Sequence, residues 1–414
     1  MSTITKQLSV RLHGQPIGIL EQIDGKMSFS YLPDVDLAST KLSYSMPEEG
    51  KYYTHDICEA YFGGLLPEGE VARKAIARQF GVNAHNVFSL LSVIGYDCAG
   101  AVAVVSMDVP IVPDTSVSIE GRMITEQELV KHIQELPKKP LFINVDGLRL
   151  SLAGVQDKAA VCVIEKQIAI PQHNSMTTHI LKPAINQYAD SVLNEYFCLS
   201  LAKRIGLNAP HVEMRIAGDI SYLLIERYDR KILSNGKLMR IHQEDFCQAL
   251  GIATVNKYQS EGGPGFKDSF SLVNRTQQPA VARVDLVKRA LFNYFIGNND
   301  AHGKNFSLLY NTAKGTLSPL YDVLSTTIYP DLTRKMAMKI GNQKDSDRVF
   351  SRHWEQLCTE IDFSYPTFKK MIPEMCNAIV TAAEVELQQL ESFNKENTCA
   401  ARIVEQLKRR IDKM

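Results

Sequence analysis

Asp300, Asn305 and Asp322 are the residues in this chain whose types and spacing best fit a chemical task. The first two lie in Asn298-Asn299-Asp300-Ala301-His302-Gly303-Lys304-Asn305, and Asp322 follows in Pro319-Leu320-Tyr321-Asp322-Val323. Transfer of a phosphoryl group asks for little covalent help from a protein. It needs a carboxylate to receive the proton of an acceptor hydroxyl, and hard oxygen ligands to hold Mg²⁺ against phosphates. Asp300 suits the first task, and Asn305 with Asp322 suits the second. Loops also collect Asn, Asp, His and Gly for purely conformational reasons. Two features favour chemistry. An apolar helix and an apolar strand bracket the first loop, and Asp322 sits among apolar neighbours, where an idle carboxylate is rare.

The interval of five residues from Asp300 to Asn305 equals that between the base Asp and the metal-binding Asn of a protein-kinase catalytic loop. A nucleotide would need further groups. Residues 151–158, Ser-Leu-Ala-Gly-Val-Gln-Asp-Lys, are rich in small side chains and precede a strand, so their N–H groups can approach phosphate oxygens. The segment is neither a Walker A sequence nor GxGxxG, and an ordinary turn is the competing reading. Lys182 closes a strand before Pro183, and Glu195 on the following helix could pair with it, as kinases pair a strand lysine with a helix glutamate. Glu226, Arg227 and Tyr228 leave an apolar strand where a kinase hinge would offer backbone groups to adenine.

These groups need elements to position them. Alternation in Leu8, Val10, Leu12 and in Met27, Phe29, Tyr31 predicts strands. A helix is expected after Pro67, with Gly81 to stop it. Residues 107–118, rich in Pro, Asp and Ser, read as a linker. Strands are expected over 159–164, 178–182 and 220–225, and a helix over 190–205. Later segments read as helices over 243–250, 284–296 and 366–379, broken or kinked by Pro373, with a terminal pair from Thr381. Residues 257–269, holding Glu261-Gly262-Gly263-Pro264-Gly265, read as an irregular flexible loop. Strands early and helices late imply an α+β architecture with a small sheet lobe and a larger helical lobe. The divisions are 1–110, a β-rich subdomain; 145–230, a nucleotide-binding core; and 231–414, a helical lobe with the catalytic loop.

Bulk properties agree. The 414 residues exceed one small domain at roughly 100–200 residues each. Lys+Arg and Asp+Glu both number 46, so net charge supplies no drive towards autonomous nucleic-acid binding. The eight cysteines form no CxxC pair and several lie in apolar runs, which predicts buried thiols in a reducing compartment. No stretch approaches the roughly 18–20 apolar residues of a membrane span, so a soluble, cytoplasmic protein is expected.

Taken together, the segments resemble the HipA family of bacterial serine/threonine kinases, toxins of type II toxin–antitoxin modules. The resemblance runs through Leu42-Ser43-Tyr44-Ser45-Met46-Pro47, Phe62-Gly63-Gly64-Leu65-Leu66-Pro67 and Ile94-Gly95-Tyr96-Asp97-Cys98-Ala99-Gly100-Ala101-Val102. It continues through residues 151–158 and 179–182, Asn194-Glu195-Tyr196, Glu226-Arg227-Tyr228-Asp229, Gln243-Glu244-Asp245, the glycine loop, residues 300–305 and Tyr321-Asp322. It implies a two-lobed protein-kinase-like or phosphoinositide-kinase-like fold with a family-specific N-terminal subdomain. Asp300 matches the catalytic Asp, and Asn305 and Asp322 match the Mg²⁺ ligands. Ala153, Gly154, Val155, Gln156, Asp157, Lys158, Lys182, Glu226, Arg227, Tyr228, His302, Gly303, Lys304, Asn305 and Tyr321 match the ATP contacts. Ser151 matches a serine whose autophosphorylation ejects the phosphate-binding loop and inactivates the kinase. The implied acceptor is an aminoacyl-tRNA synthetase such as glutamyl-tRNA synthetase, with growth arrest and persistence as the outcome. The implied partner is a HipB-like helix-turn-helix antitoxin dimer that carries the complex to operator DNA and co-represses the operon. Tyr228 stands where Phe is familiar and Asp157 where Glu is; both changes are conservative. Two rivals remain: a lipid or small-molecule kinase, and a degenerate kinase scaffold acting as co-repressor.

Overall fold

A computed structural model describes residues 6–33, 35, 42–47, 51–112, 119–140, 151–172, 175–234, 237–393 and 398–414. Residues 113–118 of the expected linker and 145–150 of the expected nucleotide-binding core lie outside the described residues. The chain forms two compact units. The first comprises 1–183, 215–255 and 307–315; the second comprises 184–214, 256–306 and 316–414. The chain passes between the two units five times.

Two antiparallel sheets build the core of the first unit. In one, Lys6–Leu12 lies between Gln15–Ile23 and Val102–Ser106, and Lys26–Tyr31 adds outside Gln15–Ile23. Leu8, Val10 and Leu12 are buried, as are Met27, Phe29 and Tyr31, so the period of two carries both strands into the core. The helix Glu70–Phe80 ends on Gly81 in the left-handed region, a C-cap that glycine adopts without a Cβ penalty. In the second sheet Ala159–Ile164 pairs with Gln167–Pro171 and with His179–Pro183, and the latter pairs with Ile220–Glu226. Both sheets contribute to one hydrophobic core, from Val10 and Phe29 to Ala160, Leu181 and Leu224.

Residues 243–250 depart from the expected helix. His242–Asp245 is a strand paired with Ser307–Tyr310, and only Phe246–Leu250 is helical. Asp245 explains the change: its carboxylate accepts from Gln248 N–H, a capping box that starts the helix there. His242 is buried, its Nε2 bonds to the Leu42 carbonyl, and burial holds its pKa down at about 4. An unfolded histidine titrates near 6.5, so from there down to about 4 the unfolded chain binds the extra proton and stability falls with the pH. Acidification through that window should therefore lower the Tm of wild type more than that of His242→Gln. Parallel Tm curves for the two proteins would refute this role.

The second unit is mainly helical, with Ser191–Arg204, Phe266–Val273, Pro279–Ile296, Ser351–Glu360, Tyr365–Phe393 and Thr398–Ile411. Trp354 stacks on Phe368 at 5.3 Å and meets Tyr294 edge-on at 5.5 Å. The helix Tyr365–Phe393 runs through Pro373 without the expected break. Phe368, Cys376, Ile379 and Ala383 are all buried, and this apolar face offsets the hydrogen bond lost at the proline. The glycine loop is shorter than expected: Gln259–Glu261 is a 3₁₀ turn, and Phe266 already starts a helix. All eight cysteines are free and buried. Among the described residues, no helix is long and apolar enough to cross a membrane.

Candidate active site

Pro279 opens the helix that leads into the candidate catalytic loop, and Gly297 closes it in the left-handed region. Gly297 is required twice over. Its φ of +74° favours glycine, and a Cβ there would collide with the Thr327 hydroxyl. The chain turns at Gly297 into Asn298–Asn305, where hydrogen bonds hold several of the polar groups. Asn298 bonds Asn293 with its amide and accepts the Asp300 N–H at 3.1 Å. The Asp300 carbonyl accepts from His302 N–H at 2.8 Å and from Asn305 Nδ2 at 2.9 Å.

The segment holding Asp322 is fastened to this loop on both sides. Before it, the Tyr321 hydroxyl donates to the Lys304 carbonyl at 2.7 Å. After it, Thr326 Oγ1 accepts from Asn299 N–H at 2.9 Å and donates to the Gly297 carbonyl at 3.1 Å. Asn194, buried on the helix Ser191–Arg204, brackets Ser325: its Oδ1 accepts from Ser325 N–H at 2.8 Å and its Nδ2 donates to Ser325 O at 2.9 Å. Asp322 itself has φ of +51°. That conformation costs a non-glycine residue roughly 1–2 kcal/mol, and such strain persists where surrounding bonds over-determine it, often at functional sites. Asp300, Asn305 and Asp322 are each half-buried.

The oxygen donors suit a hard cation. Asn305 commits its Nδ2 to the Asp300 carbonyl, which leaves its amide oxygen for a cation, and Asp322 could add a carboxylate. No cluster of three or more His, Cys, Asp or Glu suited to a metal occurs among the described residues. Mg²⁺ needs none, since it is held by one or two protein oxygens together with substrate phosphates and water.

The remaining candidates of the second unit are His302, Gly303 and Lys304, all buried, and half-buried Tyr321. In the first unit, residues 151–158 form a strapped loop. Ser151 is fully buried, donates its hydroxyl to Leu65 O at 2.7 Å, and its N–H bonds Asp97 O at 3.0 Å. Gly154 bridges Pro67 and accepts from Glu68 N–H. Lys158 reaches the Ala153 carbonyl at 2.7 Å, Gln156 donates to Pro183 O at 3.1 Å, and Val155 is exposed. Burial pushes the Asp157 carboxyl up, and Lys158 opposes the shift. Lys182 is buried.

Arg227 differs from its neighbours Glu226 and Tyr228. Its N–H bonds Thr178 O, and its guanidinium is buried against Asp229 at 2.7 Å and Asp97 at 3.8 Å. Its side chain is thus engaged in the interior, whereas Glu226 is exposed and Tyr228 donates to Gln243 Oε1 at 2.7 Å. Three supporting residues of the catalytic loop escaped the motif reading: Tyr258, whose hydroxyl reaches Asp300 Oδ1 at 2.8 Å, Thr326, and Asn194 as a clamp on Ser325. Asn194 belonged to a recognised segment, but the sequence could not show which loop it held.

Comparison with known proteins decides the family. Residues 150–383 match the HipA-like C-terminal domain, and residues 8–105 match the HipA N-terminal domain. The chain belongs to the HipA family of serine/threonine kinase toxins. The serine/threonine-protein kinase toxin HipA of Shewanella oneidensis is 31% identical over 85% of this chain and 82% of its own length. Y4mE of Sinorhizobium fredii, a kinase by its assigned name, is 40% identical over 87% of this chain and 86% of its own. The fold is shared with the solved complex of Shewanella oneidensis HipA, HipB and operator DNA. The TM-score is 0.81 at 26% identity, covering 98% of this chain and 96% of the other. The mixed α and β architecture is therefore that of HipA kinases.

Proposed function

We propose that this HipA-family chain is a Mg²⁺- and ATP-dependent serine/threonine protein kinase, with Asp300 as the base and Asn305 and Asp322 as the metal ligands. The observation that carries the reading is the double fastening of the Asp322 segment to the catalytic loop, through Tyr321 to Lys304 and through Thr326 to Asn299. Asp300 would orient the acceptor hydroxyl and take its proton. Mg²⁺, when bound, would neutralise charge on the transferring phosphates. Ala153, Gly154, Val155, Gln156, Asp157, Lys158, Lys182, Glu226, Tyr228, His302, Gly303, Lys304, Asn305 and Tyr321 are the proposed ATP contacts. Arg227 keeps only its backbone for that role. Incubation with γ-labelled ATP and cell lysate tests the class of acceptor. Label should enter protein; label confined to the lipid or metabolite fraction would replace this reading with that of a small-molecule kinase.

The protein acceptor we propose is a translation component such as an aminoacyl-tRNA synthetase, and the site of action is the cytoplasm. A HipB-like antitoxin is the proposed partner, supported by the solved complex of the Shewanella relative. With net charge zero, affinity for operator DNA would come chiefly from that partner.

Ser151 is the proposed autophosphorylation site. Its hydroxyl is buried and bound to a carbonyl, so a phosphate carrying about −1.5 to −2 charges could not stay there. The loop would have to leave, an order–disorder switch. Ser151→Asp should accordingly transfer phosphate at least roughly tenfold more slowly than wild type, since a buried, unpaired carboxylate would also be expelled. Equal initial rates of label incorporation would rule the switch out.

A further inference from the structure

Tyr258 has no place in the set of candidates above, yet it is the residue that touches the proposed base. Its hydroxyl donates to Asp300 Oδ1 at 2.8 Å, and its ring stands edge-on to His302, centroids 5.2 Å apart at 85°. The backbone around it is fixed. The Tyr258 carbonyl accepts from Glu261 N–H and from Gly263 N–H, both at 2.9 Å, and the Lys257 carbonyl accepts from Gly303 N–H at 3.4 Å. Gly263 is needed for that turn, since a Cβ there would run into the Asn256 and Lys257 backbone. The strand Lys335–Ile340 then ties both sides together. Its Ala337 N–H donates to Asn299 O and its Lys339 N–H to Gln259 Oε1, both at 2.8 Å. Tyr258 and Asp300 are therefore held in one frame by bonds that do not involve their own side chains.

A carboxylate turns easily about its terminal torsion, whose preference is broad and two-fold. A base that must meet an acceptor hydroxyl gains when that torsion is held before the acceptor arrives. We infer that Tyr258 is the positioning residue of the catalytic base: its phenol engages Oδ1 and fixes the carboxylate plane, so that Oδ2 meets the acceptor hydroxyl. The inference rests on the reading of Asp300 as base. The irregular loop before Phe266 thus acquires a task, which is to carry one phenol to one carboxylate.

The test compares full-length wild type, Tyr258→Phe, Asp300→Asn and the double variant. Initial rates of label transfer from γ-labelled ATP to lysate protein are measured over a range of ATP concentrations. Loss of one hydrogen bond to a charged group predicts a fall in kcat of roughly tenfold for Tyr258→Phe. KM for ATP and Tm should stay at wild-type values. In the Asp300→Asn background the same change should cost nothing further. An unchanged or faster Tyr258→Phe protein would overturn the assignment. So would a rise in KM together with a lower Tm, or an equal further loss on Asp300→Asn. Absence of transfer by wild type would instead bring down the reading of the site itself, and this inference with it.

Discussion

Asp300→Ala should abolish nearly all phosphoryl transfer while leaving ATP binding intact. Removing a general base costs about 10²–10⁴ in rate, because the acceptor proton then has no positioned destination in the transition state. Asp300 contributes its backbone carbonyl to the loop, accepting from His302 and Asn305, and alanine keeps that carbonyl. The loop should therefore hold its shape, and Asn305 and Asp322 should still present oxygens to a metal. Initial transfer rates together with calorimetric titration of Mg-ATP check both halves. A rate within tenfold of wild type would remove Asp300 from the role of base. A lost ATP affinity would mean that its side chain binds nucleotide and does not act on the acceptor.

The second large effect is on stability and arises in the first unit. Asp97 is buried among Arg230 at 2.9 Å, Arg240 at 3.1 Å and Arg227 at 3.8 Å, with Asp229 completing the group. Two carboxylates thus face three guanidiniums. Burial acts to raise the Asp97 carboxyl, but Arg230, Arg240 and Arg227 outweigh it and hold it below the usual range. Removing one partner from a buried charge group leaves the others uncompensated, at a cost of roughly 3–5 kcal/mol. Asp97→Asn should lose about that much in denaturant unfolding, although it changes a single atom. The sign of the pH dependence follows from the depressed pKa. The stabilisation is present above the unfolded value near 3.9 and is lost as pH falls through the lower folded value. A loss below about 1 kcal/mol, well under the range for a buried charge group, would mean that the arginines have other compensation.

Asp97 also shows what local sequence could and could not tell. It was visible inside the segment Ile94-Gly95-Tyr96-Asp97, but its partners lie more than a hundred residues away on Arg227, Arg230 and Arg240. No periodicity reports a pairing of that range. Strands with a buried face were legible because Leu8, Val10 and Leu12 repeat with the pleat, and the helix expected over 284–296 was legible from its apolar run, although it starts earlier, at Pro279. The strand His242–Asp245 was not, since His, Gln, Glu and Asp carry no strand preference. Its backbone is held by pairing with Ser307–Tyr310, a tertiary cause. Pro373 does not break its helix for the same reason, because burial of one helix face outweighs a local penalty. At the site, the motif residues themselves could be read from type and spacing. The residues that hold them, Tyr258, Thr326 and Asn194, could not, because a clamp is defined by what it touches.

Phosphoproteomics after brief induction of wild type and of Asp300→Ala, at matched protein levels, tests the central claim most directly. Wild type should produce new phosphoserine or phosphothreonine sites on host protein and a phosphate on Ser151, and Asp300→Ala should produce neither. Identical phosphosite sets from the two proteins would contradict phosphoryl transfer by this centre.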